Sequence, residues 1–83
     1  MKPKVWGPHG WIFLHSITLN YPENPSSQDK KEMKNFFEAL RYALPCDKCA
    51  KNLRKHMRDI PLTDDILNSR DKFINWLIDI HNE

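Results

Sequence analysis

Cys46 and Cys49, in the stretch Leu44-Pro45-Cys46-Asp47-Lys48-Cys49-Ala50, are the only thiols in the chain. Side chains three apart share one face of a helix, so the two sulfurs can approach each other. The proline ahead of them has its φ already set for a first helical turn, and the spacing predicts a helix starting within a residue of Pro45. At a helix N-terminus, unpaired N–H groups and the dipole stabilise a thiolate, and a stabilised thiolate is reactive at neutral pH. The pair by itself leaves three readings open: thiol–disulfide redox chemistry, half of a zinc site, or two inert helix cysteines. Zinc needs two further ligands. The nearest candidate is His56, which has no second histidine in the usual following position.

A chain of 83 residues is a single domain, residues 1–83, and buries only about two-thirds of its unfolded surface. Scaffolds of this size often need a staple, a metal, a cofactor or a partner. Three Trp, four Phe and two Tyr point to a flat-walled core or a flat ligand. A net charge of +2 with 29% charged residues is too mild to argue for nucleic acid. No apolar run is long enough to span a membrane. The start, Met1-Lys2-Pro3-Lys4, runs into Val5-Trp6-Gly7-Pro8 rather than an apolar segment, so no secretory signal is expected. Two cysteines are too few for a secreted disulfide framework.

The elements that must position the thiols read as helices throughout. Gly7 and Gly10 are the only glycines, and Pro22, Pro25, Pro45 and Pro61 punctuate segments of helical apolar period. The first helix is expected from about Pro8 to Asn20, ending before Tyr21-Pro22. Trp11, Leu14, Thr18 and Tyr21 form its stripe, with His15 on the edge, where the ordinary role is a core histidine bonded to a backbone carbonyl. Ser26 caps a second helix with Asp29 three residues on, and its expected inner face is Met33, Phe36, Phe37, Leu40, Ala43 and Leu44. The thiol helix continues through Leu53 and Met57 to about Arg58. Its Lys51, Arg54, Lys55 and Arg58 read mostly as a solvated face, with an acidic partner or phosphate as the lesser alternative. Pro61–Asn68 is a connector with room for a short turn after Thr63. Ser69 caps a fourth helix whose inner candidates are Phe73, Ile74, Trp76, Leu77, Ile80 and His81. That helix lacks a closing glycine or proline and reads as cut at Glu83. The expected fold is all-α, a small four-helix up-down bundle. Its interior is a usual place for a cofactor, and His15, Cys46, Cys49 and His81, from three helices, can converge there.

Trp6-Gly7-Pro8-His9-Gly10-Trp11-Ile12-Phe13-Leu14-His15, then Tyr21-Pro22, then Pro45-Cys46-Asp47-Lys48-Cys49, then Trp76-Leu77 and His81-Asn82 together resemble the Erv/ALR family of FAD-linked sulfhydryl oxidases. The likeness covers Gly7 to Glu83. No single motif is specific, but the set in this order and spacing is.

The resemblance implies a four-helix bundle with a short fifth helix, usually dimeric, holding FAD beside a Cys-x-x-Cys disulfide. It marks Gly7, Trp11 and His15 as flavin-site positions, Leu14 and Tyr21 as wall residues, and Pro8, His9 and Gly10 as lying in the same segment. His81 and Asn82 match the opening of the family's H-N-x-V-N flavin motif. The sequence ends before the valine, the second asparagine and the fifth helix, so a C-terminal truncation of the domain is expected. Trp11, Tyr21 and Trp76 are the aromatics suited to stacking on the ring systems. By the same resemblance, a client thiolate attacks Cys46. Cys49 passes the electron pair to FAD, and dioxygen is reduced to hydrogen peroxide. The implied partners are thiol-containing client proteins, dioxygen and a second copy of the chain. No metal, nucleic acid or membrane is implied. Members occur in the mitochondrial intermembrane space, the secretory pathway and large DNA viruses; a compact domain with one cysteine pair fits the viral members or an isolated catalytic core, and the family leaves a viral or a mitochondrial intermembrane-space setting open. The competing reading is a flavin-free helical zinc or redox-sensing module using Cys46, Cys49 and His56 or His81. A weaker one is an interaction module whose cysteines serve only stability.

Overall fold

The N-terminal proline Pro3 opens the first helix, α1, which runs over Pro3–Asn20 in a computed structural model describing all 83 residues. It is followed by α2 (Ser27–Ala43), α3 (Asp47–Asp59), the single turn α4 (Asp64–Leu67) and α5 (Arg70–Asn82). There are no strands. α1 lies against α5 and α2 against α3; α3 also meets α5, and α4 sits between α2 and α5. Four long helices and one short one therefore make the expected all-α bundle, 37 Å long and about 22 Å across.

Several boundaries differ from the expectation for local reasons. α1 begins five residues before Pro8 and carries that proline inside it. A proline there leaves the Lys4 carbonyl without its N–H partner, but Lys4 is exposed, where water can satisfy it at little cost. Pro45 does not start α3. Cys46 is extended, at φ −162° and ψ 116°, and is itself the N-cap. The cap on α2 is as expected: Ser26 Oγ accepts from Asp29 N–H at 3.0 Å, and Asp29 Oδ2 accepts from Ser26 N–H at 2.8 Å. Thr63 and Ser69 cap α4 and α5 in the same way, through Ile66 N–H and Lys72 N–H.

An aromatic knot closes the interior. Phe37 of α2 meets Phe73 and Trp76 of α5 edge-on, at 5.7 and 5.2 Å between ring centres, and Tyr21 meets Phe73 at 4.9 Å. Leu14, Leu53, Met57, Leu62, Leu67, Leu77 and Ile80 complete the core. The polar tips are satisfied: Tyr21 Oη donates to the Leu67 carbonyl at 2.6 Å and Trp76 Nε1 to the Ile60 carbonyl at 2.9 Å. Phe36, expected inside, is 38% exposed. It neighbours Phe37, about 100° round the helix, and only one of the two can point at α5. Ala43 is exposed as well.

Candidate functional site

The sulfurs of Cys46 and Cys49 are joined as a disulfide with Cα atoms 5.2 Å apart. Cys46 Sγ also accepts the Cys49 N–H at 3.2 Å, so the sulfur does the work of the Ser or Asp oxygen at an ordinary helix start. Once the disulfide opens, that N–H and the dipole of α3 stabilise negative charge on Cys46.

Cys49 opens inward. It lines a cavity of about 430 Å³ walled by α1, α3 and the end of α5, a volume in the range of small-molecule sites. Among the sequence-predicted residues, Gly7, Gly10, Trp11, Leu14 and His81 line it together with Cys49. A shallower groove on the other side of the α1–α5 rim shares Gly7, Trp11 and His81 and adds Pro8 and His15. Cys46 lines neither. His9 and Asn82 are exposed and line neither. Tyr21 and Trp76 lie in the aromatic knot, each 2% exposed, at a distance from the cavity set by the fold: Tyr21 follows the far end of α1.

The two histidines expected to converge do so. His15 Nε2 and His81 Nδ1 are 3.1 Å apart, which replaces the backbone carbonyl expected for His15. Trp11 stacks on the His81 ring at 3.9 Å with 11° between planes, forming a flat wall at the junction of cavity and groove. Burial and then the neighbouring His81 hold the His15 pKa below the ordinary histidine value. His81 itself is exposed overall, against the inward position expected for it, because α5 ends beside the open rim.

Two buried polar atoms have no partner within the protein: Trp6 Nε1 and His56 Nδ1. Both residues line the cavity. A buried polar atom left alone costs about 1–3 kcal/mol, so these are positions where a bound group would regain hydrogen bonds. Gly7 points the same way. Its φ is not positive, and an added Cβ would meet nothing within 4 Å. Mid-helix glycine costs about 1 kcal/mol against alanine, and nothing within the chain accounts for it. A flat wall, two orphaned donors or acceptors and a bare backbone fit a planar heterocycle with polar edges.

Trp6, Leu44, Asn52, Leu53 and His56 also line the cavity; of these only His56 was expected at a site, as a zinc ligand and not as a flavin contact. The signal for three of them was present: Asn52, Leu53 and His56 lie three, four and seven residues beyond Cys49 and so share its helix face. His56 and His81 stand in the same cavity as Cys49, yet no cluster of three or more His, Cys, Asp or Glu side chains is arranged to hold a metal.

Comparison with known proteins places this geometry. The chain is 48% identical over 82 residues to a probable FAD-linked sulfhydryl oxidase of Acanthamoeba polyphaga mimivirus, covering 99% of this chain and 57% of that protein. It is 34% identical over 77 residues to the mitochondrial FAD-linked sulfhydryl oxidase Erv1 of Saccharomyces cerevisiae, covering 93% of this chain and 39% of that one. The crystal structure of the FAD-binding domain of yeast Erv1 superposes with a TM-score of 0.90 at 33% identity, over 99% of this chain and 75% of that domain. The chain thus spans about half the length, or less, of these two full-length relatives. The Erv1/Alr family model matches residues 8–83, and the chain belongs to the Erv1/Alr family.

Proposed function

We propose that this chain is the catalytic domain of a FAD-linked thiol oxidase that forms disulfides in client proteins. The observation that carries the reading is the placement of Cys49, on the inner side of a helix-capping disulfide, in the same cavity as the orphaned Trp6 Nε1 and His56 Nδ1. FAD, when bound, supplies a two-electron acceptor that dioxygen can reoxidise, with hydrogen peroxide as the product. The residues that would hold it are Gly7, Gly10, Trp11, Leu14 and His81 in the cavity and Pro8 and His15 in the adjoining groove. His9, Tyr21 and Asn82 match the family segments but stand outside both depressions.

The chain's own chemistry follows from the sulfurs. A client thiolate attacks Cys46 Sγ, the Cys46–Cys49 bond breaks, and Cys49 leaves as a thiolate into the cavity. The second client thiol, on losing its proton, attacks the client sulfur of the mixed disulfide and releases Cys46. Cys46 is a good leaving group because the Cys49 N–H and the dipole of α3 stabilise its charge. Two electrons thus pass from two client thiols to the protein's cysteines, and two protons go to solvent.

Homodimerisation is part of the proposal. Val5, Ile12 and Leu19 on α1 are 49%, 65% and 61% exposed and recur at heptad spacing, the pattern of a helix face that packs on another helix. Exposed Phe13 widens the stripe. The setting proposed is viral or mitochondrial, as for the two relatives named above.

The test is a visible spectrum of the purified chain supplied with FAD and an oxygen-electrode trace with dithiothreitol. Flavin absorbance that survives desalting, together with oxygen uptake, supports the reading. Colourless protein and a flat trace overturn it. The zinc alternative predicts about one zinc per chain by metal analysis and no flavin.

A further inference from the structure

α3 carries the disulfide at its start and an excess of cations along its length. Five of its thirteen residues are Lys or Arg against two Asp, so this one helix holds more positive charge than the net +2 of the whole chain. Lys48, Lys51, Lys55 and Arg58 follow helical spacing on one side, and all are exposed. Only Lys55 is ion-paired, with Asp59 at the far end. No carboxylate lies within bridging distance of Lys48, Lys51 or Arg58. Arg54, round the helix from them, is occupied by the Arg41 carbonyl and the Tyr42 ring.

One of these charges, Lys48, sits where it is costly for the helix itself, whereas Arg58 in the last turn sits where the dipole favours a cation. Lys48 stands in the first turn, where the dipole is positive and a cation is disfavoured by about 0.3–1 kcal/mol. Asp47 offsets this in part. Lys48 lies between the two cysteines in sequence, so the cationic stripe begins at the disulfide and runs from it along α3.

We infer that the face of α3 bearing Lys48, Lys51, Lys55 and Arg58 receives an acidic segment of the client, next to the client's reactive thiols. The inference rests on the proposed thiol exchange and names the substrate class for it. An acidic segment is drawn to the stripe at long range and raises the encounter rate, an effect that salt screens. Exchange follows as described: two client thiols become a disulfide, Cys46 and Cys49 leave as thiolates, and two protons go to solvent.

The experiment needs no flavin. Two dithiol peptides of equal length, one flanked by Glu and one by Lys, are mixed with the oxidised chain, and reduction of Cys46–Cys49 is timed. Each rate is divided by that peptide's rate with the neutral 4,4′-dithiodipyridine, which removes differences in intrinsic thiol reactivity. The normalised Glu/Lys ratio is expected to be at least about tenfold at roughly 0.05 M salt, to fall towards one at about 1 M, and to invert in K48E/K51E. A ratio near one at low salt, or a K48E/K51E ratio equal to that of the wild type, overturns the inference. Failure of the oxidase reading is distinguishable, since it shows as absent flavin and oxygen uptake whatever the peptide ratio.

Discussion

His15 Nε2 and His81 Nδ1 stand 3.1 Å apart and tie the first long helix to the last. One ring must donate and the other accept, so at least one imidazole must be neutral. Burial and His81 both depress the His15 pKa, which means the folded state binds its proton less readily than the unfolded chain. Stability from this group is complete above the ordinary value of about 6.5. It is lost as pH falls from there through the lower folded pKa. The melting temperature of the flavin-free chain is expected to drop between pH 7.5 and about pH 5, and H15N is expected to drop less. Parallel melting curves for the two proteins across that range would remove the pair from this role.

Gly7 separates folding from binding. With no positive φ and open space around the missing Cβ, Gly7→Ala is expected to stabilise α1 by up to about 1 kcal/mol. Gly7 lines both the cavity and the groove, so the same methyl narrows the site. Denaturant titration of the apo chain and flavin titration of the same variant are expected to move in opposite directions. A gain in both, or a loss in both, contradicts the assignment of this glycine to ligand approach.

Much of the fold was legible because its signals are local. Ser26-Ser27-Gln28-Asp29 announces its own capping box, and the stripe of Leu14, Thr18 and Tyr21 is a matter of period. The less legible parts depend on contacts the period does not encode. Phe36 and Phe37 are equally apolar, and only the position of α5 decides between them. Tyr21 and Trp76 are flat and could face a ligand, but the carbonyls of Leu67, at the end of α4, and Ile60, at the end of α3, claim their polar tips. Cys46 as a cap depends on its extended backbone, which the preceding proline does not dictate. In the site, Trp11 and His81 stand with Cys49 in the cavity and His15 meets His81 in the adjoining groove, whereas Cys46, expected to converge with them, lines neither. For Trp6, matched only as part of the family segment, and for His56, weighed only as a zinc ligand, the unpaired buried nitrogens point to a different ligand.

Trp76 is accordingly a structural residue. Its indole is 2% exposed and donates to the Ile60 carbonyl, fixing the end of α3 against α5. Trp76→Phe keeps most of the apolar contact and removes the donor, which is expected to cost about 1–3 kcal/mol. Phe73→Ala, which hollows the aromatic knot, is expected to cost about 3–5 kcal/mol and leaves so small a domain largely unfolded. Flavin titration of folded Trp76→Phe is expected to match the wild type. A specific loss of affinity without loss of stability would return Trp76 to the site.

Cys46 has two jobs that substitution can separate. In the proposed mechanism Cys46 is the residue the client thiolate attacks, and on that basis both Cys46→Ser and Cys46→Ala are expected to abolish oxygen uptake with dithiol substrates while flavin stays bound. As the N-cap of α3, its Sγ accepts the Cys49 N–H, a role that a serine oxygen fills and an alanine methyl does not. Under reducing conditions, where no variant has the cross-link, Cys46→Ser is expected to be at least as stable as reduced wild type. Cys46→Ala is expected to be about 1 kcal/mol less stable than Cys46→Ser. Oxidising the wild type adds about 2 kcal/mol, the entropy of closing so short a loop. Urea midpoints for the three proteins, reduced and oxidised, measure both terms. Equal stability of the serine and alanine variants would show that the sulfur caps nothing, and the charge stabilisation argued for Cys46 as leaving group would fall with it.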